Sequence, residues 1–236
     1  MKKVVVSFAD ETGNYRKQMG RLEKSIRHVG FDGIFRGYTS FGQIGSPHHK
    51  GPGSVPYAFK AMAIKKAIWE ESPGIVLWID SPIIATASID PIFEYIEEHG
   101  YVFFDNVGHS LGTWTSDACL ERFGISREKS FDMKMIMACV MGFRVDKYSP
   151  IIDFLDAYID AAMDGVSYMG DWFNQSGQVS VDNRVRGHRH DQSVASCLIA
   201  NMGLDVICGQ DSFFAYREHV GQMPISSSVC LWSQAM

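Results

Sequence analysis

The feature that most constrains this chain is Gly74-Ile75-Val76-Leu77-Trp78-Ile79-Asp80-Ser81-Pro82, an unbroken apolar run that ends in one carboxylate. Five apolar residues without polar alternation suit a strand buried on both faces, as in a parallel sheet covered by helices. In such sheets ligands bind beyond the carboxyl ends of the strands, so Asp80 is expected at the mouth of a crevice. A second carboxylate, in His188-Arg189-His190-Asp191-Gln192-Ser193, opens a helical pattern far downstream. Folding can bring the two acids to opposite sides of one ligand.

The rest of the chain alternates in the same manner. Lys3–Phe8 is β-branched and continuous, a second buried strand, and breaks at Ala9-Asp10-Glu11-Thr12-Gly13. Met19, Leu22, Ile26 and Val29 recur at three- and four-residue steps, the stripe of an amphipathic helix that Gly30 closes. Residues 31–38 read as a strand, and residues 39–55, rich in glycine and carrying His48-His49-Lys50, as a loop. A helix entered at Pro56 presents Ala58, Met62, Ile64, Ala67 and Ile68. Residues 89–99 form a helix closed by Gly100, and 101–104 a strand ending at Asp105-Asn106. After a loop over 107–115, a short helix (116–123), a strand (135–143) and a helix (150–163) precede an irregular polar stretch over 165–189. The helix Asp191–Met202 is followed by short strands at 204–208 and 213–216 and by a tail over 225–236 with no clear period. The expected fold class is α/β, a mixed and mostly parallel sheet flanked by helices. Ala9-Asp10, Asp80-Ser81 and Asp105-Asn106 fall at its ligand-binding edge.

Composition narrows the function. At 236 residues and 46% hydrophobic content, the chain can bury one large core, and a single domain is the default. A formal charge of -5 with no local basic patch argues against a nucleic-acid partner, without excluding a nucleic-acid acceptor. The cysteines, odd in number and without C-x-x-C spacing, support neither a disulfide framework nor a zinc knuckle, and point to a reducing, cytoplasmic setting. Val4-Val5-Val6 is too short for a signal peptide, and no window reaches membrane-spanning length.

The individual acids have both active and structural readings. A carboxylate at Asp80 can hold a divalent cation on a diphosphate, since Mg²⁺ or Mn²⁺ needs only one or two protein oxygens when phosphates complete its shell; it can equally cap a turn ahead of Pro82. Asp191 at a helix N-terminus is stabilised as the anion, which suits it to face a developing oxocarbenium ion or to accept a hydroxyl proton. It can also be an N-cap and nothing more.

The order βαβ, loop, αβ-Asp resembles the nucleotide-sugar-binding half of GT-A-fold glycosyltransferases, whose metal motif, Asp-x-Asp, stands where Asp80 does. Here its third position is Pro82. Asp191-Gln192-Ser193 resembles the Asp-Gln-Asp segment of glycogenin-like and lipopolysaccharide galactosyltransferases. The stretch His188 to Ser193 matches the His-Arg-His-Asp-Gln-Ser box of capsule-type and virally encoded relatives. Phe8-Ala9-Asp10 with Tyr15 is similar to the turn that meets the nucleoside, and Lys60 to a helix lysine that faces the donor phosphates. His219, in His219-Val220-Gly221-Gln222-Met223-Pro224, is similar to a late histidine that completes the metal site. Trp114-Thr115 resembles a segment near the acceptor mouth, and Met141-Gly142-Phe143 fits the strand that contacts the donor sugar.

This resemblance implies one GT-A domain over 1–236, with a nucleotide-binding half (1–106), an acceptor and catalytic half (107–224) and a tail (225–236). It implies a nucleoside-diphosphate-sugar donor, UDP-linked by the family's habit, a glycan or similar hydroxyl acceptor, Mn²⁺ or Mg²⁺, retention of configuration, and a place in polysaccharide biosynthesis. Asp191 and Gln192 become the catalytic residues. Phe8, Ala9, Asp10, Tyr15, Lys60, Asp80, Ser81 and His190 bind the donor, and Asp80 and His219 the metal. Asp105, Asn106, Trp114 and Thr115 meet the acceptor. Against these stand a core role for Tyr15 or Trp114, a solvated Lys60 and a structural His219. Two other classes compete: a His-Asp metal phosphohydrolase built on His188, His190 and Asp191, and a catalytically silent sugar-nucleotide binder, for which Pro82 is the main argument.

Overall fold

The structure, a computed structural model, describes residues 1–146, 151–175, 177–208, 212–216 and 227–233. Its elements run β1 (Lys3–Phe8), α1 (Tyr15–His28), β2 (Ile34–Tyr38), α2 (Phe41–Ile44), α3 (Ala58–Glu71), β3 (Ile75–Ile79), β4 (Ile83–Ala85), α4 (Asp90–His99), β5 (Tyr101–Ser110), α5 (Asp117–Arg122), α6 (Arg127–Ser130), β6 (Lys134–Arg144), α7 (Ile151–Met163), α8 (Asp191–Met202), β7 (Phe214–Tyr216) and β8 (Leu231–Ser233).

Five strands form the main sheet in the order β2-β1-β3-β6-β5. β3 lies at its centre, all five residues buried, as an apolar run without alternation requires. β1 pairs in parallel with β2 and β3, whereas β6 runs antiparallel to β3 and to β5. Only β6 therefore opposes the common direction, and the carboxyl ends of β1, β3 and β5 share one edge. Successive side chains alternate between the two faces. Val4 and Val6 join a core with α3, α7 and α8, while Val5, Ile75 and Leu77 join one with α1 and α4. Burying each such aliphatic side chain contributes roughly 1.5–3 kcal/mol.

Four expectations need correction. The tail contains β8, the middle strand of a second sheet ordered β4-β8-β7; three-residue strands are too short to show a period. The stretch 204–208 makes a single bridge, Phe104 to Ile207, rather than a strand. The loop 39–55 contains α2, closed by a capping box in which Ser40 and Gln43 satisfy each other's backbone. β5 continues to Ser110 instead of stopping at residue 104, because its outer half is polar and partly exposed and carries no apolar signal. Among the described residues, no helix is long and apolar enough to cross a membrane.

Candidate active site

At the shared strand edge lies a cleft of about 570 Å³ lined by residues from β1, α3, β3, β5, β6 and α8. The Lys60 ammonium sits at its floor. Lys60, on the first turn of α3, is only 3% exposed, and three oxygens surround it: Asp191 Oδ2 at 2.6 Å, Asp80 Oδ1 at 3.3 Å and the Ala138 carbonyl of β6 at 2.7 Å. Of the three, the Ala138 carbonyl receives a directed hydrogen bond and the two carboxylates are close opposite charges. The Asp191 contact is one of close charges without the angle of a directed hydrogen bond. Asp80 also accepts a hydrogen bond from Trp78 Nε1 at 2.6 Å, and its side chain stays 34% open to the cleft. The sequence therefore led to both acids, and they meet through one lysine.

The charges are strongly biased. Burial opposes the Lys60 charge, but Asp191 and Asp80 outweigh it and hold the ammonium above the usual lysine range. Burial also pushes both carboxyls up, against the pull of Lys60. Two acids sharing one cation cannot both keep an ordinary carboxylate value.

Strained backbone holds this arrangement. Tyr57, which precedes α3, has φ 61°, and His190, which precedes α8, has φ 46° and ψ −113°; such values in residues other than glycine cost about 1–3 kcal/mol each. Their rings stack at 5.3 Å, joining the helix starts that carry Lys60 and Asp191. Tyr57 N–H donates to His49 Nδ1 at 3.0 Å, which leaves the proton of a neutral ring on Nε2.

Each member of the His188-to-Ser193 box has a distinct task. His188 Nδ1 accepts from the Ser116 N–H at 3.2 Å, so Nε2–H is the donor to the Ser167 carbonyl at 3.0 Å. Arg189 packs its guanidinium between Trp114, at 3.8 Å, and Trp172, at 4.0 Å. His190 Nδ1 lies 2.9 Å from the Tyr168 carbonyl. Ser193 Oγ accepts from Arg189 N–H and donates to the Trp114 carbonyl at 2.6 Å. Ser193 ties α8 to the Trp114 wall. Gly187 permits the 172 loop to lie on this box: a Cβ there would come within 2.0 Å of the Trp172 carbonyl.

His188 yields a stability prediction. Burial pushes its pKa down to about 3, so the folded ring stays neutral while an unfolded one binds a proton near 6.5. A lowered pKa gives stability that is complete above the unfolded value and is lost as pH falls through the window between 6.5 and 3. Thermal melting of the wild type is expected to drop across that window more steeply than that of His188→Gln. Parallel slopes for the two proteins would remove His188 from this role.

Of the residues singled out from sequence, Phe8, Ala9, Asp10, Tyr15, Lys60, Asp80, Ser81, Asn106, Trp114, Asp191 and Gln192 line the cleft. Asp10 is turned to its own loop, accepting from Thr12 N–H and Oγ1. His190, Asp105 and Thr115 do not line the cleft. His190 is a layer beneath, under Tyr57 and Trp172; Asp105 pairs with Lys134; Thr115 is fully buried. His219 lies outside the described residues. Met141, Gly142 and Phe143 sit away from the cleft, since a Cβ on Gly142 would strike Ile96 of α4 at 2.3 Å; β6 lines the cleft through Met135, Met137, Ala138 and Cys139. Lys60 is buried rather than solvated, with the two carboxylates as its nearest charges.

Sequence reasoning passed over the aromatic wall. Phe8 stacks on Phe59 at 4.6 Å and packs on Phe41 at 5.1 Å, beside Tyr57 and His49. Phe41 and His49 come from a stretch with no period, and Tyr57, expected in the helix entered at Pro56, stands just ahead of α3. The His-Asp phosphohydrolase reading is not favoured. A five-stranded sheet replaces the all-helical frame it requires, and His190 and Asp191 face different partners.

No protein-family model matches the chain, and no curated protein matches it. Solved structures do. A glycosyltransferase involved in the glycosylation of the major capsid of PBCV-1 superposes with a TM-score of 0.58 at 12% identity, covering 100% of this chain and 95% of that one. Mouse xyloside xylosyltransferase 1, in its apo form, gives 0.55 at 8% identity over 99% and 98% of the two chains. The galactosyltransferase LgtC, in complex with donor and acceptor sugar analogs, gives 0.54 at 12% identity over 99% and 87%. The chain has the GT-A fold of these proteins, a mixed α/β sheet flanked by helices.

Proposed function

We propose that this chain transfers a sugar from a nucleoside diphosphate, UDP by analogy with the enzymes it resembles, to a hydroxyl of a saccharide. The observation that carries the reading is the meeting of Asp80 and Asp191 at Lys60 inside a cleft of small-molecule size. The similar structures are glycosyltransferases by description, which supports the class.

The roles follow from position. Phe8, Ala9 and Asp10 close β1 and, with Tyr15, offer a face and polar groups to a nucleoside. Asp80, at the centre of the sheet edge, takes the diphosphate side. Asp191 and Gln192, at the start of α8, face the anomeric carbon, where a carboxylate stabilises the positive charge that develops as the diphosphate departs. Lys60 is a positioning residue: held by the Ala138 carbonyl between the two carboxylates, it acts through the acids it places. The likeness of Asp191-Gln192-Ser193 to Asp-Gln-Asp enzymes supports retention of configuration.

A divalent cation belongs to the resemblance, and the residues accommodate one in a particular way. Asp80 Oδ1 is already taken by Trp78 and Lys60, Pro82 offers no oxygen in its side chain, and among the described residues no three His, Cys, Asp or Glu side chains gather. What remains is Asp80 Oδ2, a donor set that fits an ion delivered with the donor's phosphates rather than one held by protein alone. Such an ion would neutralise charge on the leaving diphosphate.

The test is turnover of UDP-, GDP- and CMP-sugars with Mn²⁺ or with chelator, read with calorimetry of Mn²⁺ alone and with UDP. UDP-sugar cleavage is expected, with Mn²⁺ uptake only in the presence of UDP. Binding of UDP with no turnover toward any saccharide acceptor would replace the transferase by the silent binder. Tight Mn²⁺ binding by the free protein would overturn the account of the ion.

A further inference from the structure

Arg189 is a cation of this cleft that, among the described residues, no acid neutralises. Its guanidinium carbon lies over both the Trp114 and Trp172 rings, with Phe173 at 5.5 Å, so the rings confine it and new hydrogen bonds fall to its N–H edge. One of its terminal amino groups donates to the Trp172 carbonyl. Among the described residues it enters no ion pair, in contrast to Lys60, which serves two carboxylates. Burial pushes its pKa down to about 10, with no carboxylate opposing the shift. A half-buried guanidinium with unfilled edge donors loses hydration without compensation, and a planar oxyanion is the group whose geometry matches that edge.

Its two rings span the cleft: Trp172 packs 6.0 Å from Tyr57, at the end of the aromatic wall, and Trp114 stands on the opposite side. The nucleoside wall is at the end of β1, next to β3, whereas Trp114 follows the far edge strand β5, three strand spacings away from β1. The aromatic rims Trp172 and Phe173 are 41% and 55% exposed, so this end of the cleft opens outward.

Resting on the transferase reading, we propose that Arg189 forms an anion-binding subsite for the acceptor, which recognises a saccharide bearing a carboxylate or a phosphate. Trp114 and Trp172 fix the guanidinium, and its free edge receives the two oxygens of the acidic group. The competing source of the same chemistry is the donor diphosphate.

The full chain is titrated with glucuronate, glucose 6-phosphate, glucose and UDP, followed by the fluorescence of the tryptophans that flank Arg189. Both acidic sugars are expected to bind about tenfold or more tightly than glucose, as a charge-assisted pair allows, and to lose that margin as salt is raised. Arg189→Gln should abolish the margin while UDP affinity stays within about twofold, and Arg189→Lys should keep part of it, since a point charge replaces a planar fork. Equal wild-type affinities for glucuronate and glucose would overturn the proposal without any variant. Loss of UDP affinity in Arg189→Gln would overturn it too, by assigning the arginine to the donor diphosphate. Should the wild type fail to bind UDP, the transferase reading falls, and the margin between acidic and neutral sugars still decides the subsite.

Discussion

Replacing Asp191 by asparagine is expected to lower sugar transfer by roughly 10²–10⁴-fold while leaving donor binding nearly intact. Asparagine keeps the volume and the oxygen that faces Lys60 and loses only the negative charge. The lost charge is the one placed to face the anomeric carbon, so kcat should fall and KM for the donor should change little, the mark of an interaction made in the transition state. A pH profile adds an independent reading. Burial holds the Asp191 carboxyl above the usual carboxylate range, and Lys60 only partly opposes it. A raised value means that the active anion is lost sooner as pH falls, so the acid limb of kcat should lie above the ordinary carboxylate range, and it should vanish in the variant. Wild-type turnover in Asp191→Asn would remove Asp191 from the reaction.

The convergence of the two acids was open to sequence reasoning because both sit where general rules apply. A carboxylate after a buried strand falls at the ligand edge of an α/β sheet, and one that opens a helix points along its dipole. What lies between them was not open. Lys60 is recognisable as a helix lysine, but its third oxygen comes from the Ala138 carbonyl, whose partner is set by how α3 crosses β6, and a backbone carbonyl has no sequence signature. The aromatic wall escaped for a related reason. Phe41 and His49 belong to a stretch whose composition signals a turn, and turns show no period from which a buried face can be inferred; Tyr57, expected inside the helix entered at Pro56, stands ahead of α3 with a left-handed backbone. The second sheet was hidden by length, since β4, β7 and β8 have three residues each.

Lys60→Met is expected to damage stability as severely as Asp191→Asn damages turnover. Removing the cation leaves Asp80 and Asp191 facing each other in a site that burial already makes unfavourable for charge. Breaking a buried ion pair in this way typically costs about 3–5 kcal/mol. For a domain of this size that corresponds to a fall in melting temperature of roughly 6–20 °C. The acids would respond by taking up a proton, so the variant should recover part of its stability toward acid pH, the reverse of the trend set by His188. Combining Lys60→Met with Asp191→Asn separates charge from packing. The double variant lacks one of the two repelling anions, and should regain at least half of the lost stability while remaining inactive. Additive losses would show that lysine and aspartate are not coupled, and the two acids would then owe their closeness to the strained turns at Tyr57 and His190 rather than to the ammonium between them.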